Sequence, residues 1–428
     1  MNRLVAWAYT ACIHALVPLA LMHLWWRGRR QPAYRCNVGE RFGRYGGSAP
    51  GAGPSVWIHA VSVGETRAAQ PLVKAIRARH PGLRIVMTHT TPTGRETGDQ
   101  LFGDAVERIY LPYDLPFAVA AFLDRYRPVA GVLMETELWP NLLQAARRRG
   151  VPVALVNARL SERSARGYRR VARLTRMALE CLAGVAAQTA ADAERLVALG
   201  ARGVTITGSM KFDIAPPDSA VALGRVLRER FGAARAVLVA ASTREGEEAL
   251  LIPALAGLPA GTLTVLVPRH PQRFDEVAGL LAGAGVPFER RSAETPVAPG
   301  TRVVLGDSMG ELFAYYAAAD VAFVGGSLLP LGGQNLIEAC AMGTPVLVGP
   351  HTFNFQDITA EARRTGAARE VPDAAALVAT VADLLAQPEE RRRMGEAGRA
   401  FATAHRGATD RVMDMLEAIG LPGTRAPG

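Results

Sequence analysis

Residues 55–66 read SVWIHAVSVGET, and this stretch sets the expectation for the whole fold. An apolar run, 55–61, ends in a turn that carries Gly64, and a helical pattern follows. A strand that leads through a glycine-bearing turn into a helix is the first half of a βαβ unit. Phosphate-binding turns have this form, but a carboxylate such as Glu65 is unusual in them. The stretch predicts an α/β fold and raises the question of what Glu65 does.

Apolar runs alternate with helical segments along the rest of the chain. Runs rich in Val, Ile, Leu and Ala, bounded by Gly or Pro, are typical of strands buried on both faces of a parallel sheet. The first series comprises 55–61, 84–89, 107–111, 129–134, 151–156, 183–188 and 203–207, with helices such as 67–80 and 141–149 between them. The second comprises 236–241, 262–267, 302–305, 320–324 and 345–348. The pattern predicts two tandem doubly wound, Rossmann-like domains.

The domain limits follow from a change in composition between the two series. Two prolines within 213–222 predict a linker, and 388–418 has a helical composition. We expect an N-terminal segment at 1–30, a first domain at 31–215, a second domain at 216–400, and a C-terminal helix and tail at 401–428. Doubly wound domains bind ligands outside the carboxyl ends of their strands, and two such domains bind them in the cleft that they face.

Composition narrows the class of partner. The chain has 428 residues and a net charge of +10, which indicates an anionic partner: nucleic acid, anionic lipid or a phosphorylated substrate. No signature of a nucleic-acid-binding fold is present, so nucleic acid is not expected. The four cysteines (Cys12, Cys36, Cys181 and Cys340) have no paired or metal-ligand spacing and are expected to be reduced thiols. Neither a dinucleotide fingerprint nor an Asp-x-Asp pair occurs, so we expect no cofactor and no metal.

The N-terminus predicts a membrane anchor. Residues 4–26 contain no Asp, Glu, Lys or Arg, and as a helix they match the hydrocarbon core of a bilayer, about 30 Å thick. Three arginines follow at once within 27–30, so the positive-inside rule places the remainder in the cytoplasm. A cleaved signal peptide is disfavoured because the charge lies on the wrong side. A buried helix of a soluble protein is an alternative, and Pro18 also leaves open a helix that lies in the membrane interface.

In the first domain, acidic residues and a lysine follow strands. Glu65 is either an ordinary first-turn acid or a base that the helix N-terminus keeps ionised, with Gly64 leaving room for a substrate. Glu135 and Glu137 follow 129–134; one of them caps the next helix, or a second carboxylate faces the first. Lys211 is one of only two lysines among 49 basic residues, and a compact ammonium suits contact with a phosphate or carboxylate.

In the second domain, the residues after the strands favour a nucleotide. Arg269, His270 and Arg273 predict an anion-binding cluster. Gly310 is expected to open a helix whose free N–H groups meet a phosphate. Glu338 is expected in the first turns of a helix, where its carboxylate can bind both hydroxyls of a ribose. This division is expected of an acceptor domain that holds the base and a donor domain that holds a nucleotide.

Eight segments together carry a family resemblance. They are HAVSVGET (59–66), METELWPN (134–141), NARLSERS (157–164), GSMKFD (208–213), VPRHPQRF (267–274), GDSMGEL (306–312), FVGGSL (323–328) and NLIEACAMGTPVLVGPHTFNF (335–355). In this order they resemble the 3-deoxy-D-manno-octulosonic acid (Kdo) transferases of lipopolysaccharide synthesis, over nearly the whole chain after the N-terminal segment. Gln334 departs from the histidine of many members, so a charged role is not expected there.

The resemblance implies a metal-independent, inverting GT-B glycosyltransferase on the cytoplasmic face of the cell inner membrane. It implies transfer of Kdo from CMP-Kdo to a lipid A precursor, lipid IVA, with membrane lipid as a further partner. The motif matches put the general base on Glu65 and transition-state stabilisers on Glu135 and Lys211. The implied CMP contacts are Pro268, Arg269, Met309, Gly310, Glu311, Asn335, Leu336, Ile337 and Glu338.

Three alternatives stay open at this point. The first is a GT-B transferase or epimerase that uses a UDP-sugar, and the second is a non-catalytic, membrane-tethered nucleotide-binding protein. The third is a nucleic-acid binder, which only the net charge of +10 favours. Separately, the basic stretch 27–44 either contacts lipid head groups or acceptor phosphates through residues such as Arg41 and Arg44, or is ordinary juxtamembrane charge.

Overall fold

The computed structural model describes residues 2–46, 51, 53–213 and 216–421. The chain divides into two compact units. The first unit comprises residues 1–213 and the segment from Arg406 onward, and the second comprises residues 214–405.

Within residues 53–213, seven strands form one parallel sheet. They are β1 (Ser55–His59), β2 (Arg84–His89), β3 (Glu107–Tyr110), β4 (Pro128–Met134), β5 (Val153–Ala158), β6 (Gly184–Ala187) and β7 (Val204–Ile206). The helices of the first unit up to residue 213 are α1 (Asn2–Arg30), α2 (Val63–Ala68), α3 (Gln70–Arg79), α4 (Pro92–Phe102), α5 (Pro116–Tyr126), α6 (Pro140–Arg148), α7 (Glu162–Arg170), α8 (Ala172–Leu179) and α9 (Ala190–Ala198).

The strand order is β3-β2-β1-β4-β5-β6-β7, which is doubly wound and reverses between β1 and β4. Burial on both faces explains the apolar runs: every residue of β1 is buried, and Trp57 lies in the core against Phe122. A side chain at Gly131 would approach Trp57 to 2.7 Å, so glycine is needed where β4 passes that ring. The reversal creates a crevice at the ends of β1 and β4, where ligands of such sheets bind.

The second unit repeats the plan. Within residues 216–405 its strands are β8 (Val237–Thr243), β9 (Leu263–Pro268), β10 (Phe288–Arg290), β11 (Val303–Leu305), β12 (Val321–Val324), β13 (Val346–Val348) and β14 (Ala368–Glu370), all parallel, in the order β10-β11-β9-β8-β12-β13-β14. Its helices are α10 (Asp218–Phe231), α11 (Glu247–Ala254), α12 (Phe274–Gly283), α13 (Leu312–Ala318), α14 (Ile337–Met342), α15 (Gln356–Arg364), α16 (Ala374–Ala386) and α17 (Pro388–Ala404).

The predicted C-terminal helical segment is not continuous. A break at 405–407 separates α17 from α18 (Ala408–Ala418), and Gly407 there has a φ of +87°, which favours glycine. Val412 and Leu416 of α18 are buried in the same core as β1 of the first unit. The predicted linker 213–222 is wrong from Asp218 onward, where α10 begins, and residues 214 and 215 lie outside the described residues.

Helix α1 is long and apolar enough to cross a membrane, by length and composition. Large apolar side chains are exposed along it: Leu4, Trp7, Leu16, Leu19, Leu21, Met22, Trp25 and Trp26. The Tyr9 hydroxyl donates to Asp114 Oδ2 at 2.9 Å, and the Thr10 hydroxyl donates to Asn141 Oδ1 at 3.1 Å. One side of α1 therefore contacts the first unit through hydrogen bonds, while apolar side chains on its other sides are left uncovered.

Candidate active site

Glu65 lies in the first turn of α2, directly after β1. Its Oε2 accepts from Val61 N–H at 2.8 Å and its Oε1 from the Ser62 hydroxyl at 3.0 Å, while Ser62 Oγ caps the Glu65 N–H. This reciprocal Ser-x-x-Glu arrangement resembles a capping box, although the glutamate accepts from the N–H before the N-cap residue, and it fixes the carboxylate. A side chain at Gly64 would meet only Ser62 Oγ, at 3.8 Å, so the space beside this turn is open.

The protonation of Glu65 differs from the expectation. Burial raises its pKa to about 7, and the negative charges of Glu135 and Glu137 add to that effect, while the hydrogen bonds from Val61 and Ser62 oppose it. The prediction that the helix N-terminus holds this pKa down is therefore wrong, because desolvation outweighs the capping hydrogen bonds, and about half of Glu65 is ionised at pH 7. A carboxylate with a pKa near the operating pH is suited to act as a general base.

Glu135 and Lys211 lie at the same edge of the first sheet as Glu65. Lys211 Nζ is 3.4 Å from Glu135 Oε1, and both side chains are partly buried, with 21% and 30% exposed. Glu135 has a φ of +56°, a conformation that is costly for a residue other than glycine and is concentrated at functional sites. The Glu135 N–H continues the sheet by donating to Val156 O at 2.9 Å. The structure thus brings all three first-domain candidates together.

Two residues that the sequence analysis did not single out hold Lys211 in place. Lys211 belongs to a 3-10 helix, Met210–Asp213, whose Met210 and Phe212 side chains are buried. Met210 N–H donates to Asn157 Oδ1 at 3.2 Å. The Asp213 carboxylate accepts from Gly407 N–H at 2.7 Å, at the start of α18. Asn157 lies within segment 157–164 and Asp213 within segment 208–213, and both segments carry the family resemblance. Their anchoring role could not be predicted, because their partners are distant in the sequence.

The turn that carries Glu135 is anchored by neighbours and not by its own acids. Asp114 caps α6, accepting from Asn141 N–H at 2.9 Å and from Leu142 N–H at 2.8 Å, so the alternative in which Glu135 or Glu137 caps this helix is wrong. The buried Asp114 lies in the loop between β3 and α5 and supplies both oxygens to α6. Burial also raises the pKa of Glu137.

His59, the first residue of the segment 59–66, has a structural role. His59 is fully buried and lies edge-to-face with Trp139, with 6.2 Å between ring centroids. Burial lowers its pKa to about 3, so the ring is neutral at physiological pH. Its Nδ1 is 2.8 Å from the Thr88 hydroxyl. His59 therefore supports the turn and takes no part as a titrating group.

In the second unit, the candidate CMP contacts follow β9, β11 and β12, which lie in the central part of one parallel sheet. Pro268 ends β9, and Arg269 N–H donates to Thr243 O at 2.9 Å. The Met309–Glu311 segment follows β11; Met309 is 51% exposed and Gly310 has a φ of +82°. The helix after it begins at Leu312 and not at Gly310, because Gly310 adopts a left-handed conformation.

The third group of candidate contacts is at the start of α14. Glu338 lies in its first turn, as predicted. Asn335 Nδ2 donates to Glu338 Oε1 at 3.3 Å, and Ile337 N–H donates to Asn335 Oδ1 at 3.1 Å. Leu336 and Ile337 are buried, so their side chains anchor the segment. Gln334 Nε2 lies 3.2 Å from the position that a Cβ on Gly326 would occupy.

Not every residue of the predicted anion-binding cluster is available. Arg273 pairs with Glu248 at 2.8 Å and with Glu276 at 3.0 Å, and only 11% of its side chain is exposed. It is therefore a structural cation, which the local sequence did not reveal because Glu248 is distant along the chain. Arg269 and His270 lie at the strand end; burial lowers the pKa of His270, and the nearby positive charges lower it further.

Glu311, another predicted CMP contact, is held by its own neighbours. Its Oε1 accepts from Arg291 at 3.0 Å, and its Oε2 accepts from the Ser308 hydroxyl at 2.6 Å. The Tyr315 hydroxyl also contacts this carboxylate, at 3.3 Å. These contacts fix the Met309–Glu311 segment between β11 and α13.

Comparisons with known proteins support the family resemblance. A family model described as 3-Deoxy-D-manno-octulosonic-acid transferase (kdotransferase) matches residues 36–214, and one described as Glycosyl transferases group 1 matches residues 263–401. A 3-deoxy-D-manno-octulosonic acid transferase of Bordetella pertussis is 50% identical over 96% of this chain and 98% of its own. One from Haemophilus influenzae is 39% identical over 96% of this chain and 97% of its own.

Solved structures agree with the observed architecture. A glycosyltransferase of Rickettsia africae superposes with a TM-score of 0.57 at 13% identity, covering 86% of this chain and 99% of its own. At this identity the likeness concerns the fold alone, and it confirms the predicted GT-B class of two doubly wound, parallel sheets. The family model and the identity to relatives over nearly the whole chain show the family. The chain belongs to the 3-deoxy-D-manno-octulosonic acid transferase family of glycosyltransferases.

Proposed function

We propose that this chain transfers Kdo from CMP-Kdo to a lipid A precursor, lipid IVA, with inversion at the anomeric carbon. The observation that carries the proposal is the partly buried Glu65 carboxylate, with a pKa of about 7, in an open turn beside the Glu135–Lys211 pair. Family membership identifies Kdo as the transferred sugar, and the resemblance of the eight segments implies CMP-Kdo as the donor and lipid IVA as the acceptor.

Glu65 acts as the general base. When ionised, it accepts the proton of an acceptor hydroxyl as that oxygen attacks the anomeric carbon of Kdo. CMP leaves from the opposite face, so a single displacement inverts the configuration. A general base in this role contributes about 10²–10⁴-fold to the rate.

Lys211 and Glu135 stabilise the transition state as a pair. The ammonium offsets negative charge on the donor, and its contact with Glu135 at 3.4 Å sets its position. The 3-10 helix that carries Lys211 is anchored at Asn157 and at α18, which limits its movement during the reaction. A preorganised charge of this kind costs little reorganisation when the leaving group departs.

CMP binds to the second unit through the residues after β9, β11 and β12. The Arg269 guanidinium contacts the phosphate or the Kdo carboxylate, and Glu338 binds the ribose hydroxyls. The backbone around Gly310 and the Asn335–Ile337 segment contribute N–H groups, since side chains there are exposed or committed to the fold.

Helix α1 attaches the enzyme to the cytoplasmic face of the inner membrane. Its uncovered apolar side chains, including Trp25 and Trp26, fit a lipid environment, and the arginines within 27–30 fit anionic head groups. Arg41 takes no part in this attachment. Arg41 is 4% exposed, donates to Thr90 O at 2.8 Å and stacks on Tyr110, so the alternative in which Arg41 contacts lipid head groups is wrong.

Mass spectrometry of the lipid product tests the proposal. Detergent-solubilised full-length chain is incubated with lipid IVA and CMP-Kdo, and parallel reactions receive a UDP-sugar or no donor. The proposal predicts a product heavier by one or more Kdo residues with CMP-Kdo alone, and nuclear magnetic resonance is expected to show inverted anomeric configuration. Free CMP without a lipid product would contradict the acceptor assignment, and product from the UDP-sugar would contradict the donor.

A further inference from the structure

Glu247 is a fully buried carboxylate that the proposed chemistry does not use. It lies at the start of α11, four residues beyond the end of β8, and it accepts hydrogen bonds from four backbone N–H groups. Oε2 accepts from Arg244 at 2.9 Å and from Gly326 at 2.5 Å. Oε1 accepts from Ser327 at 2.9 Å and from Leu328 at 3.0 Å. One side chain therefore joins the loop after β8 to the loop after β12.

These two loops lie at the point where the second sheet reverses its order. β8 and β12 are neighbours, with Val324 paired to Ala241, and the chain winds away from them in opposite directions. The loops pack backbone against backbone, because a Cβ on Gly325 would come within 2.7 Å of Thr243 Cα. Doubly wound sheets bind ligands in the crevice at this point. Glu247 thus joins the two loops at the point of the sheet where the second unit is expected to hold its donor.

Arg244 is a charged residue of the loop after β8, and its backbone N–H is one of the groups that Glu247 binds. Its Cγ lies 3.4 Å from the position that a Cβ on Gly326 would occupy, and its charge contributes with that of Arg269 to the lowered pKa of His270. Among the residues that the structure describes, no carboxylate lies within ion-pair distance of the Arg244 guanidinium. Ser242, two residues earlier, has a φ of +56°, a strained conformation that recurs at functional sites.

We propose that Arg244 binds an anionic oxygen of the donor and that Glu247 is the positioning residue that holds Arg244 and the 325–328 loop in place for it. The inference rests on the proposed function for the identity of the donor. The anionic oxygen belongs to the phosphate or to the carboxylate of the transferred sugar, and both are recognised by the same guanidinium chemistry. Glu247 acts through Arg244 and the loop and does not touch the donor.

The expected size of the effect follows from the type of contact. A hydrogen bond to a charged group contributes about 1.5–3 kcal/mol, so Arg244→Gln should weaken donor binding about 10- to 100-fold. Glu247→Gln keeps the shape but replaces one carboxylate oxygen, which accepts two hydrogen bonds, with an N–H₂ group, so two of the four backbone N–H groups lose their acceptor. Donor KM should rise while the KM for the acceptor lipid stays within twofold.

Glu248→Gln is the matched control. Glu248 is the next residue, is equally buried and is bound to Arg273 instead of to the loops. Both carboxylate variants are expected to lower the melting temperature, but only Glu247→Gln is expected to raise donor KM. Arg244 is partly exposed, so Arg244→Gln is expected to fold even if Glu247→Gln does not.

A double-mutant cycle on donor KM decides between a positioning role and a purely structural one. If Glu247 acts through Arg244, the combined variant should lose little more than Arg244→Gln alone, whereas independent effects multiply. Calorimetry with CMP identifies the source of the anion: weaker CMP binding by Arg244→Gln indicates the phosphate, and unchanged CMP binding with raised CMP-Kdo KM indicates the sugar carboxylate.

Two results would overturn the inference. One is an Arg244→Gln variant with wild-type CMP affinity and wild-type donor KM. The other is a Glu247→Gln variant whose effect multiplies fully with that of Arg244→Gln or equals that of Glu248→Gln. A wild-type chain that fails to bind CMP would instead contradict the proposed function, so the two failures are distinguishable.

Discussion

The raised pKa of Glu65 predicts that kcat/KM falls between pH 7 and pH 6, which a glutamate with an ordinary pKa would not cause. A base accepts a proton only when ionised, so activity is present above its pKa and is lost as the pH falls through it. With a pKa of about 7, about one tenth of Glu65 is ionised at pH 6, and kcat/KM should fall about tenfold from its plateau. A glutamate with an ordinary pKa, about 4.3, would stay almost fully ionised at pH 6 and would give a flat profile.

Two substitutions should move this acidic limb in opposite directions. Ser62 donates a hydrogen bond to Glu65 Oε1 at 3.0 Å and thereby lowers its pKa, so Ser62→Ala should move the limb to higher pH by up to about one unit. The charge of Glu137 raises the pKa of Glu65, so Glu137→Gln should move the limb to lower pH, by less than the change from Ser62→Ala.

Initial rates of Kdo transfer at subsaturating donor, from pH 5.5 to pH 8.5, measure the shift. Enzyme-free blanks correct for donor hydrolysis, and melting curves at each pH check that the variants stay folded, since loss of the Ser62 cap costs about 1 kcal/mol. A wild-type profile that is flat down to pH 5.5 would refute the assignment of the limb to Glu65. Shifts of the same sign in both variants would refute the explanation given for its pKa.

Three further predictions concern the surroundings of the site. Lys211→Arg keeps the charge but replaces the compact ammonium that contacts Glu135 at 3.4 Å, so kcat should fall at least tenfold while CMP affinity stays unchanged. The control is Lys74→Arg, at the other lysine of the chain, which should change neither kcat nor CMP affinity. Asn157→Ala removes the acceptor of Met210 N–H and should lower kcat about tenfold without changing donor KM, and an unchanged kcat would exclude this anchoring role. Arg41→Gln should lower the free energy of unfolding by about 2 kcal/mol, because that guanidinium is buried, whereas Arg44→Gln should change it little; equal effects in denaturant titrations would contradict the buried position.

Much of the fold follows from local sequence patterns. Each of the apolar runs singled out in the sequence coincides with a strand. Most of these strands are buried, and strands buried on both faces need continuous apolar residues, whereas β7, at an edge of the first sheet, is largely exposed. The two strands that were not predicted, β10 and β14, form the edges of the second sheet. Both have three residues, and exposed or half-exposed charged side chains interrupt their pattern, so no buried run marks them.

The candidate site residues could be predicted where a charged side chain directly follows a strand. Glu65, Glu135 and Lys211 each follow a strand, and parallel strands carry their carboxyl ends to one edge. The pKa of Glu65 was not predictable, because it depends on burial by residues distant in the sequence. For the same reason the sequence did not reveal that Arg273 pairs with Glu248.

The central claim is that Glu65 is the general base, and Glu65→Gln tests it most directly. Glutamine has nearly the same shape and can still accept from Val61 N–H, but it cannot take a proton from the acceptor. Single-turnover transfer of Kdo to lipid IVA at pH 8 should fall at least about 100-fold, with CMP affinity unchanged. A Glu65→Gln enzyme that transfers Kdo within about threefold of the wild-type rate would contradict the account, since a general base is worth far more than that.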